Sequence, residues 1–182
     1  MDLGLRMPRR LSTDSEGLGE PAQKILHLDL FSGIAGNMFV SALLDLGLSR
    51  EDLESDLAGL GVEHEIEISR VSRGALSARY LRVIVPGYDQ AHHHGHHHDH
   101  GPHGSHRHGS DGRSYRQIVE LLEAATLREA VRERALSIFS SLADAEAKVH
   151  GVAVEDVHFH EVGAVDAIVD VTAAAAGLDR LG

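Results

Sequence analysis

The chain has 182 residues, no cysteine, 28 acidic side chains against 17 lysines and arginines, and a formal net charge of -11 at pH 7. That balance argues against a nucleic-acid partner or an anionic-membrane surface and favours cations, while the lack of thiols removes disulfides and thiolate-held zinc or iron–sulfur centres. No apolar run approaches the roughly 20 residues of a membrane helix, so the expectation is one small core in a soluble, cytoplasmic chain.

Residues 1–24 lack the apolar centre of a secretory signal and read as a disordered leader. The run ILHLDLF at 25–31 is short, apolar and bounded, the pattern of a buried strand. After the loop SGIAGN, Phe39, Val40, Leu43, Leu44 and Leu46 form a helical stripe that stops at Gly47. Ser49 with Asp52 three residues on resembles a capping box, opening a helix that carries Leu53, Leu57 and Leu60 to Gly61. EHEIEISRV and ALSARYLRVIV flank Ser72-Arg73-Gly74 and predict a hairpin. The stretch 91–112 holds ten histidines among glycines, with almost nothing apolar to bury, and predicts a flexible loop. SYRQIVELLEAA reads as an amphipathic helix. A longer helix follows, with Val131, Ala135, Ile138, Leu142, Ala145 and Val149 on or near one face and Gly151 as its stop. Val157 to His160 form a short run, and VDAIVDVTAAAAGLDRLG predicts a last helix whose small residues permit close packing. The fold class is therefore α/β or α+β, a small layered core over residues 25–182 with a disordered histidine-rich loop.

Three constellations bear on chemistry. The strand–loop–helix order around Gly33 and Gly36 presents helix N-terminal amides that an anion can approach, and Asp29 is placed to hold a divalent cation. The loop lacks the lysine of a Walker A motif and the GxGxxG spacing, so a plain packed turn is the competing reading. The ten imidazoles of His92, His93, His94, His96, His97, His98, His100, His103, His106 and His108 are good ligands for nickel and similar metals. A flexible tract fixes no single geometry, which points to capture or buffering; an inert polar linker is the alternative. In the tail, His158 and His160 share a strand face, Asp166 and Asp170 share a helical face, and Glu146 lies one turn from His150. Mixed nitrogen and oxygen donors suit a metal, although the same residues also read as surface acids and ordinary strand histidines.

ILHLDLFSGIAGNMFVSALLDLG, the histidine-rich insertion, AEAKVHG and VHFHEVGAVDAIVDV together resemble the N-terminal part of the LarC family of nickel-insertion proteins. Asp29, Ser32, Gly33 and Gly36 match that family's DxxSGxxGDM signature, and His158, His160, Glu161, Gly163 and Asp166 match its HFHEVGxxD signature. Asn37 departs from the signature, which has aspartate there. Asparagine keeps a carbonyl acceptor but loses the charge that a hard cation or a general base would need.

The resemblance implies an enzyme component of the lyase class, a cyclometallase. Using CTP and manganese or magnesium, such proteins place nickel into pyridinium-3,5-bisthiocarboxylic acid mononucleotide and so complete the nickel-pincer cofactor. It further implies Asp29, His160 and Glu161 as catalytic groups and Ser32, Gly33, Gly36 and Asn37 as the ligand-binding loop. His158 and Asp166 join the loop histidines as metal ligands. The implied partners are the precursor mononucleotide, a C-terminal domain on a separate or frameshifted chain, and further copies in a homo-oligomer. Two other readings stay open: a non-catalytic nickel-binding or storage module, and a nucleotide-binding regulatory protein built on the opening loop.

Overall fold

A computed structural model describes residues 24–30, 33–87, 112–159 and 162–182. The leader at 1–23, the histidine-rich stretch at 88–111, and Phe31, Ser32, His160 and Glu161 lie outside the described residues. Among the described residues, five α-helices and four strands form a mixed α and β fold: α1 Gly36–Asp45, α2 Arg50–Leu57, β1 Glu65–Arg73, β2 Leu76–Ile84, β3 Arg113–Ser114, α3 Tyr115–Ala124, α4 Glu129–His150, β4 His158–Phe159 and α5 Val165–Leu181. Both strand pairs are antiparallel, β1 with β2 and β3 with β4. The α+β form of the expected class is the one observed.

Local chemistry accounts for most boundaries. Ser49 accepts the Asp52 amide at 3.0 Å and starts α2, and Ser114 with Gln117 makes a full capping box on α3. Gly151 ends α4 in the left-handed conformation at φ 66°, where a β-carbon would be strained. The hairpin turns through Gly74, and its second strand buries Leu81 and Val83 on alternate positions. Ser41 accepts the Leu81 amide at 2.9 Å and Asp45 accepts the Arg79 amide at 3.1 Å, which ties β2 to α1.

Helix α5 is the shared wall of the core, packed by α1, α2 and α4. Its alanine-rich face and Gly177 permit that density: a β-carbon on Gly177 would fall 2.6 Å from Leu43 Cδ1. At the far end Asp56 gathers α2, α4 and α5, accepting from Arg180 at 2.8 and 2.9 Å and from Arg128 at 3.0 Å. These hydrogen bonds, Arg180 foremost, hold its carboxyl below the usual range against the opposing effect of burial.

Three sequence expectations need correction. Residues 24–30 are not a buried strand; they have no regular structure and are exposed, because among the described residues no strand pairs with them. On α4 the buried row is Val131, Ala135, Phe139, Ala143 and Ala147, whereas Ala145 and Val149 are exposed. The core contacts α4 along a row of positions four apart, so a stripe that alternates steps of four and three leaves that row. Leu46 is also exposed, at the C-cap of α1, while Leu48 beyond the turn is buried instead.

Candidate functional site

The first turn of α1 and the middle of α5 meet. Ala35, the N-cap of α1, offers no capping side chain, so the amides of this helix end need an acceptor from elsewhere. The carboxylate of Asp170 supplies one: it lies against Gly36 so closely that a β-carbon there would sit 2.8 Å from both Asp170 Cβ and Oδ2. Glycine at position 36 is thus a requirement of the junction. Asp170 Oδ1 is enclosed and has no hydrogen-bond partner among the described residues. Burial, helped by the like charge of Asp166 one turn away, pushes the Asp170 carboxyl up to about 6, with the Asn37 backbone amide pulling in the opposite direction. Asp166 itself sits in the first turn of α5, where negative charge is favoured, and accepts the Ala167 amide at 3.0 Å.

The geometry therefore joins Gly36 and Asn37 of the opening loop to Asp166 and Asp170 of the tail. Gly33 turns at φ 82°, and its amide donates to Leu30 O at 3.0 Å. Asp29 is exposed on the segment before it. His158 is exposed on β4 opposite Ser114, while Phe159 beside it is buried against Phe139. The short β3–β4 pair is clamped to the turn before α5, since a β-carbon on Gly163 would lie 2.4 Å from Arg113 N and 2.6 Å from Phe159 O. Among the described residues no three His, Asp or Glu side chains converge on a metal position. Asp29, His158 and Asp166 accordingly do not form one cluster by themselves. Ser32, His160, Glu161 and the ten loop histidines, His92 to His108, lie outside the described residues. Glu146 and His150 do meet, at 3.1 Å, but on the end of α4, with His150 exposed and Glu146 half-buried.

Asp170 is the residue that the sequence reading undervalued, noting only that it shares a face with Asp166. Its signal was local: a carboxylate between Val169 and Val171 in a helix otherwise apolar enough to be core.

Residues 26–182 match the nickel insertion protein family. The chain belongs to that family. It is 47% identical over 160 residues to a pyridinium-3,5-bisthiocarboxylic acid mononucleotide nickel insertion protein of Thermotoga petrophila, covering 88% of this chain and 37% of the relative. Proteins of the same name from Thermotoga sp. strain RQ2 and Geobacillus kaustophilus are 42% and 43% identical over 159 and 160 residues, covering 87% of this chain in both cases and 38% and 36% of the relative. The chain thus spans a little over a third of the length of these curated relatives. No solved structure matches it.

Proposed function

We propose that this chain is the N-terminal component of an enzyme of the lyase class that inserts nickel into pyridinium-3,5-bisthiocarboxylic acid mononucleotide, with CTP and manganese or magnesium as cofactors. The observation that carries the proposal is the family match over residues 26–182 with relatives named for that insertion. Hard divalent cations take oxygen donors and keep several waters, and Asp166 with Asp170 offers two carboxylates from one helical face, one oxygen of which lacks a partner. That pair fits such an ion, and a bound cation would offset the burial and the Asp166 charge that now raise the Asp170 carboxyl.

With Asp170 neutralised, the α1 amides, the Gly33 turn and Ser32 become an anion site for a nucleotide phosphate, as helix N-termini generally are. CTP, when bound, supplies a phosphoanhydride whose cleavage drives the insertion. Forming a carbon–nickel bond displaces a ring proton; His160 is assigned as its acceptor, with Glu161 and Asp29 as the further catalytic groups, Asp29 positioning the cation. Nickel is cargo here, gathered by the histidine-rich stretch and delivered past His158. The second region of the family protein, the precursor nucleotide and further copies of the chain are the partners, and a cytoplasmic location fits such a role.

The test combines this chain with the remaining region of the Thermotoga petrophila relative, precursor, nickel, CTP and manganese, and detects nickel-containing cofactor by mass spectrometry. The parent should make product, whereas His160→Ala should lose it and retain most of its bound nickel. Product from the variant at the parent rate removes His160 from the chemistry. No product from the parent favours the storage reading, which the ten-histidine stretch motivates independently.

A further inference from the structure

Segment 24–30 is exposed to solvent in a way that its apolar residues do not favour. Ile25, Leu26, Leu28 and Leu30 are 85%, 41%, 45% and 48% exposed. An apolar groove of about 510 Å³ flanks it on the α5 side, lined by Leu26, Leu43, Leu46 and Leu178. A second, of about 470 Å³, lies toward β2 and is lined by Leu28, Met38 and Tyr80. Contiguous apolar surface of this kind on a soluble chain marks an interface. The position of α5 indicates what fills it: Lys24 Nζ donates to Leu181 O, and Gly182 packs on the Lys24 side chain. A polypeptide leaving α5 therefore starts beside the first residue of the segment. More than three fifths of each relative lies outside the match.

We propose that residues 24–30 form one strand of a sheet completed by an extended apolar strand, carried by the part of the family polypeptide that follows the matched region. The inference rests on the reading that this remaining region is the chain's partner, and it gives that partner a place to dock. Strand addition takes its affinity from backbone hydrogen bonds and its specificity from pockets for alternate side chains. The segment supplies the first, and the two grooves, one on either side, supply the second.

The test uses a synthetic peptide of the residues that directly follow the matched region in the Thermotoga petrophila relative, titrated into the full chain. Hydrogen exchange is followed at residues 25–30. The peptide should bind and slow exchange there by about tenfold or more. Leu28→Asp and Ile25→Asp should each weaken binding at least about tenfold, with the helical circular-dichroism signal kept because both side chains are exposed. Val152→Asp, on an exposed residue outside the grooves, should leave it unchanged. A peptide with alternate backbone nitrogens methylated should fail to bind, which a merely hydrophobic contact would not require. Absence of binding overturns the proposal, as does binding that survives both aspartates or the methylation. Protection of 25–30 that rises with chain concentration before any peptide is added also overturns it, by making a second copy the occupant. Binding is read without nickel, CTP or product, so failed cofactor synthesis leaves this result standing.

Discussion

At Asp170 one carboxyl joins the start of α1 to α5 and makes stability depend on pH. Below about pH 4 its proton is bound in both the folded and unfolded chain, and there is no effect. Between the ordinary value of 3.8 and about 6 the unfolded chain releases the proton while the folded chain keeps it, so stability falls as pH rises. Above that range the folded state carries the full penalty, as much as about 3 kcal/mol before allowance for partial solvent access. Asp170→Asn should therefore raise the urea midpoint at pH 7.5, leave it nearly unchanged at pH 4, and flatten the profile between. Manganese should raise the parent's midpoint at pH 7.5 and do little for the variant, if the carboxylate holds a cation as proposed. A variant that keeps the parent's pH profile would place the titration elsewhere. The residue was half legible in the sequence. The i,i+4 spacing from Asp166 could be read, but the contact with Gly36 pairs positions far apart in the chain, and no local pattern records it.

Element by element, the sequence was readable where a boundary is decided by chemistry within a few residues. The Ser49 cap, the Gly151 stop and the Gly74 turn follow from local hydrogen bonding or φ and appear where the pattern put them, and the Ser114 capping box, equally local, was there to be read as well. It was less readable where burial depends on a neighbour. The face of α4 is set by α3 and α5, and the exposed state of 24–30 by the lack of a strand beside it among the described residues. The α4 correction can be tested directly. Ala147, 7% exposed, and Val149, 78% exposed, are two positions apart and lie on different sides of the helix. Ala147→Asp should cost several kcal/mol by burying an unpaired charge, whereas Val149→Asp should stay within about 0.5 kcal/mol of the parent. Equal losses in urea denaturation would mean that the stripe read from the sequence, with Val149 in it, is the true core face.

For the whole molecule, the proposed function assigns nickel to two different parts of the chain, a packed α+β body and a histidine-rich stretch. A specific site needs donors held at fixed distances by packed elements, and the β3–β4 clamp and the α1–α5 junction are such elements. Ten imidazoles spaced by glycine offer the opposite: many partial coordination spheres, each modest, with no one geometry. The net charge of -11 adds a general attraction for cations to both. Capacity and chemistry should consequently separate under deletion. Removing residues 92–108 should lower the number of nickel ions bound per chain in calorimetry while the helical circular-dichroism signal stays nearly intact, since the five helices lie outside that stretch. The nickel lost on deletion should be the acid-sensitive fraction, because protons and metal compete for the same imidazole lone pair. As pH falls through the reference value of about 6.5, the parent should release most of its nickel and the deleted chain little. A stoichiometry unchanged by the deletion would mean that the histidines are a linker, and that the metal this chain holds is bound elsewhere on the folded body.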